Sequence, residues 1–187
     1  MKKKYKLFSL IIMSIIISCT IKYIPVPSKM VSVTDNHAVI KMKNYIIITE
    51  NKYWVKEPQN LTDYFTTFYI TIINRTEDKI KIIPQDFSLL DENGNQFDII
   101  DNEQIEKLLL PQEIKFEPII NVTDKQQQLL ENWINARKNL MSESFHFGSI
   151  LPKARKSGFI FFTRLPSDNK KCDLIFKDNK INFIRGD

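Results

Sequence analysis

The sequence predicts a mainly β domain, two sheets packed face to face as a sandwich, with one inserted α-helix. Three observations carry that expectation. Short runs of β-branched and aromatic residues recur along the chain with turn signals between them. Asn93-Gly94 sits between two such runs, and both residue types tolerate the positive φ that a tight hairpin needs. Only one long stretch, Thr123 to Ser144, has helical spacing instead. Strands at these intervals favour a sandwich, although a barrel of similar strands has the same periodicity.

The elements follow in order. "AVIKM" (Ala38–Met42), "YIII" (Tyr45–Ile48) and "KYWVK" (Lys52–Lys56) read as strands, with "EPQNLTD" as the loop after them. The strongest strand is "YFTTFYITIIN", Tyr64 to Asn74, with Phe68, Ile70 and Ile72 on one face and Thr67, Tyr69 and Thr71 on the other. "IKII" (Ile80–Ile83) follows and stops at Pro84, which lacks the N–H a ladder requires. "DFSLLD" and "QFDII" pair across the Asn93-Gly94 turn. "GFIFFTRL" (Gly158–Leu165), "KCDLIFK" (Lys171–Lys177) and "INFI" (Ile181–Ile184) close the domain.

The helix begins at Thr123, whose hydroxyl can accept the N–H three residues on, where Gln126 completes a capping box. Leu130, Trp133, Ile134, Arg137 and Met141 are its expected packing stripe, leaving Gln128, Asn132, Asn135 and Asn139 to water. A shorter helical turn is expected from Asn102 to Leu110, and "EIKFEPII" is ambiguous. In "FIFF" neighbouring rings alternate, so at least one points away from the sandwich core. Either the helix covers that face, or Trp133, Phe145, Phe147 and Phe162 form an exposed interaction patch.

The N-terminus is of another kind. Lys2, Lys3, Lys4 and Lys6 precede an apolar run from Leu7 to Ile17, 11 residues long. That length suits a signal-peptide core better than a bilayer span of about 20 residues, with an uncleaved anchor as the alternative. The run ends in Ile16-Ile17-Ser18-Cys19. This tetrapeptide resembles the lipobox of bacterial lipoproteins. The resemblance implies cleavage before Cys19 and diacylglycerol on its sulfur. Two or three acyl chains anchor a protein stably where one does not. Thr20 rather than Asp follows, which in that family is compatible with the periplasmic face of the outer membrane.

Cleavage would divide the chain into a leader (residues 1–18), a tether (19–36) stiffened by Pro25 and Pro27, and a domain (37–187) with its insert at about 123–144. Removing residues 1–18 takes away four lysines and no acid, so the net charge falls from +5 to +1. Near-neutrality removes nucleic acid and anionic lipid as default partners. With Cys19 acylated, Cys172 has no disulfide partner; alternating with Leu174 and Phe176, it reads as a small buried hydrophobe.

A second resemblance rests on Asn74, Pro84, Asp86, Phe87, Leu89, Asp91 and Gly94, and on Gly158 opening a Phe-rich strand. This pattern resembles the small immunoglobulin-like domains of bacterial lipoproteins of unknown function. It implies an immunoglobulin-like sandwich and no particular activity.

The residues offer no constellation for an enzyme. His37 and His146 are far apart, and neither zinc-ligand spacing, a Gly-x-Ser-x-Gly elbow nor a glycine-rich phosphate loop occurs. "DENGNQ" lacks the glutamate of a calcium loop, because position 102 is Asn. Asn60, Asn74 and Asn121 open glycosylation triplets without meaning in a bacterial lipoprotein. The expectation is therefore a non-enzymatic, lipid-anchored envelope protein with no cofactor or metal, held to the membrane by its lipid and working through an envelope protein partner. The alternative is a binding protein that holds a small apolar or peptide ligand between helix and sheet.

Overall fold

The structure, a computed structural model, describes residues 22–57, 61–111 and 123–186. Cys19 with its lipobox and the segment "EIKFEPII" lie outside the described residues. Two five-stranded antiparallel sheets pack face to face as a β-sandwich. In the first sheet, β1 (Tyr23–Pro25), β12 (Asn179–Arg185), β11 (Lys171–Phe176), β7 (Phe87–Leu90) and β8 (Gln96–Asp98) lie side by side. In the second the order is β10 (Arg155–Thr163), β5 (Phe65–Asn74), β4 (Tyr45–Asn51), β3 (His37–Lys41) and β2 (Ser32–Thr34). A small ribbon of β6 (Ile80–Ile82) and β9 (Gly148–Ile150) closes one edge.

The inner faces obey the alternation read from the sequence. Phe68, Ile70 and Ile72 of β5 meet Leu174, Phe176, Ile181 and Phe183 of the opposite sheet in one buried cluster that also holds Cys172. Fully burying one such side chain contributes roughly 1.5–3 kcal/mol, so this cluster is the main source of stability. Asn74, buried at the end of β5, binds the chain together where three segments meet. Its amide donates to the carbonyls of Asp78 at 2.7 Å and Leu151 at 3.0 Å, and its Oδ1 accepts the Thr76 N–H at 2.9 Å.

The N-terminal segment corrects the expected tether. From Lys22 onward it belongs to the sandwich, with β1 paired to β12 and β2 to β3. The Tyr23 N–H donates to Asn51 Oδ1 at 2.8 Å, and the Tyr23 hydroxyl receives the Asn169 amide at 3.0 Å. The prolines do not stiffen a leash here: they sit where the chain passes from one sheet to the other. Asp35 and Asn36, at φ 48° and 64°, form the two-residue turn between β2 and β3.

Three further expectations are corrected. "KYWVK" is not a strand, because the Asn51 side chain also donates to the Thr67 carbonyl at 2.8 Å and the ladder ends there. The chain then turns outward and buries Trp54 on the other side of the sheet. The Asn93-Gly94 hairpin exists but spans Asp91–Asn95. The Asp91 carboxylate gathers the N–H groups of Asn93 and Asn95, and of the pair only Gly94 takes positive φ. Among the described residues the expected helices α2 (Asn102–Leu109) and α3 (Asp124–Glu143) are accompanied by a short α1 (Leu61–Tyr64), where the sequence predicts a loop and the start of a strand. The Thr123–Gln126 capping box opens α3 as the sequence predicts.

Candidate functional site

The outer face of β5 and β10 is where the helices meet the sandwich. β10 places Ile160 and Phe162 inward and Phe159 and Phe161 outward. The outward rings pack edge-to-face with Trp54 and Phe65, beneath Leu61 of α1, Ile105 of α2 and Leu140 of α3. Arg137 of α3 holds Glu106 of α2 at 2.7 Å, joining the two covering helices.

Gly158 makes this arrangement possible. A Cβ there would lie 2.5 Å from the Phe145 nitrogen, so the chain leaving α3 can cross β10 only over a glycine. At the crossing the Phe145 N–H donates to the Phe159 carbonyl at 2.8 Å, and on the same strand edge Ile100 N–H donates to Phe161. The crossing segment then sends Phe145 and Phe147 into the sandwich mouth, where Phe147 meets Phe87 at 6.3 Å between ring centroids.

These positions correct the expected aromatic patch. Phe162 is 0% and Phe145 3% exposed, both in the sandwich core, and Phe147 packs against it. Trp133 alone is away from them, on α3, half-buried beside Leu109 and Ala136 in a cleft of about 340 Å³. Neighbouring rings on a strand diverge to opposite faces, so one exposed patch cannot collect all four. A second cleft, of about 240 Å³, opens between the crossing segment and the start of α2 and is floored by Phe159 and Ile160, with His146 and Asp101 among its lining.

The packing stripe of α3 is also displaced. Leu129, Trp133, Ala136 and Leu140 face inward, while Ile134 and Met141 are 50% and 46% exposed. With 3.6 residues per turn, Leu130, Ile134 and Met141 form a second apolar stripe about 100° around the helix from the first. Arg137 is indeed at an interface, but through its guanidinium and Glu106 rather than by burial.

Elsewhere, His37 lies 3.4 Å from Glu50 on the sheet surface, and His146 is exposed, its carbonyl receiving the Lys156 ammonium. Burial pushes the Cys172 thiol far above its ordinary range, which disfavours the reactive thiolate. Among the described residues no three His, Cys, Asp or Glu side chains are grouped to hold a metal. At the end of the sandwich where β1 begins, Lys22, Lys170, Lys171 and Arg185 are exposed, and Lys171 lies in line with the partly exposed pair Ile24 and Ile184. Two of the observed features have signals in the sequence: Asp35-Asn36, a pair that tolerates positive φ, marks a hairpin turn, and Leu129-Leu130 starts two stripes rather than one.

No family model, curated protein or solved structure matches this chain.

Proposed function

We propose that the protein is a lipid-anchored, non-enzymatic module of the bacterial envelope, an immunoglobulin-like sandwich that engages another envelope protein through α3. The observation that carries this reading is the second stripe of α3. A helix that served only to cover the sheet would be polar away from its packing face. Instead Ile134 and Met141 stand exposed in line with Leu130, beside a face that is already buried. Exposed apolar residues arranged in line, rather than scattered, favour a protein partner. The lipid attachment rests on Ile16-Ile17-Ser18-Cys19, and the periplasmic face of the outer membrane is the location that Thr20 favours.

Two measurements test the two parts. Intact mass of the product made with its own leader should show a chain starting at Cys19 with an acyl increment; a product starting at Met1 without one rejects the anchor. Crosslinking in intact envelopes should then recover a protein with the wild type that Ile134→Glu/Met141→Glu loses, with unchanged circular dichroism. Identical recovery by both proteins rejects α3 as the interface.

The 240 Å³ cleft supports a second reading, a site for a small apolar ligand over Phe159 and Ile160. A co-purifying small molecule, displaced by His146→Trp at the exposed rim of the cleft and accompanied by no protein partner, would favour it.

A further inference from the structure

We infer that the end of the sandwich where β1 begins is a membrane-facing surface that rests on anionic lipid headgroups, with Ile24, Ile184 and Lys171 side by side on the outer face of the first sheet and Lys22, Lys170 and Arg185 at the same end. The inference builds on the lipid anchor at Cys19 proposed above. The first argument is the length of chain outside the described residues. Three residues separate Cys19 from Tyr23, and Tyr23 is fixed in the sandwich by Asn51 and Asn169. At no more than about 3.6 Å per residue, Tyr23 lies within roughly 14 Å of an acylated Cys19. A domain held that closely cannot turn its opposite end to the bilayer.

The second argument is what that end presents. Lateral pairing draws the cations together: Gly186 N–H donates to the Lys22 carbonyl, and Arg185 N–H donates to the Lys170 carbonyl, each at 2.8 Å. Lys171 is directly across from Ile184, and Ile184 from Ile24. All four cations are exposed, and among the described residues none is in an ion pair, although the Arg185 guanidinium donates to the Ser167 carbonyl. Ile184, 51% exposed, is an aliphatic residue on the outer side of a strand with no protein covering it. The nearby acids are Glu92, whose carboxylate accepts the Lys170 N–H at 3.3 Å, Asp168, and Asp173, which is occupied by Lys180 and Asn182. Exposed isoleucines and four cations gathered at one end match the bilayer interface, where acyl chains begin beneath anionic headgroups.

Lysine footprinting of the native, acylated protein tests this without any substitution. The protein is acetylated with a water-soluble ester, once in detergent micelles and once on vesicles of phosphatidylcholine containing phosphatidylglycerol, and sites are read by mass spectrometry. Modification of Lys22, Lys170 and Lys171 should slow several-fold on the vesicles. Lys43 and Lys79, at the far end of β5, should react equally in both. Omitting phosphatidylglycerol should restore much of the reactivity at Lys170 and Lys171. Acylated protein whose lysines at the two ends react alike on vesicles overturns the membrane-facing surface and leaves the anchor standing. A product with no acyl increment overturns the anchor and this surface with it.

Discussion

The inner and outer faces of the β5–β10 pair are both apolar, yet different parts of the chain bury them. Inward, Phe68, Ile70, Ile160 and Phe162 meet a second sheet with its own alternating pattern. Outward, Phe65, Phe159 and Phe161 meet Trp54, Tyr69, Ile100 and a few residues from three helices. The inner cover is a continuous ladder of hydrogen-bonded strands. The outer cover is a set of separate elements leaning on a few rings. The difference teaches where the molecule can open: elements with few buried apolar contacts unfold locally at lower free energy than the core. The helical cover, which carries the exposed stripe of α3, is therefore the adaptable side.

The largest expected effect comes from the residue on which both faces depend. Gly158→Val should abolish cooperative unfolding or the soluble protein itself, because its Cβ would collide with backbone at Phe145, which cannot yield as a side chain tip can. A cooperative urea transition close to wild type would show that the crossing segment is free to shift. Next come the paired truncations of β10. Phe162→Ala should cost about 3–5 kcal/mol in global stability, and Phe161→Ala should fall toward the lower end of that range because helices can settle into its space. Hydrogen exchange separates them further: Phe161→Ala should raise exchange in α2 and α3 while β11 and β12 stay protected. Equal exchange in both variants would erase the distinction between the faces. The smallest effect belongs to the helix cap. Thr123→Ala removes the hydroxyl that accepts the Gln126 N–H and should cost about 1 kcal/mol, confined to the first turns of α3. A global loss as large as that of Phe162→Ala would mean that α3 folds as one unit with the sandwich.

Much of this was legible in the chain. The β5 pattern gives both the strand and its inward face, and Thr123 with Gln126 gives the start of α3. Gly158 was visible as the opening of a Phe-rich strand, but not as the point where another segment crosses it. The candidate site was less legible. Leu129 and Leu130 are adjacent in sequence and equally apolar, so helical spacing admits two stripes, and only the contact with α2 and the sheet selects Leu129, Trp133, Ala136 and Leu140. The prolines near residue 25 favour extended backbone in a tether and in an edge strand alike, so they did not betray that Tyr23 is core.

By itself the sequence determined which segments extend, which one coils, where α3 is capped and which side chains need to leave water, because propensity, periodicity and capping act over a few residues. Tertiary structure alone decided what covers each apolar face. It sent Phe162 inward and Phe161 under the helices, drew Lys22 beside Gly186 and Lys170 beside Arg185, and left Ile134 and Met141 outside. The reason is that hydrophobic burial is non-directional: a period states that a face seeks cover, and only long-range packing supplies the partner.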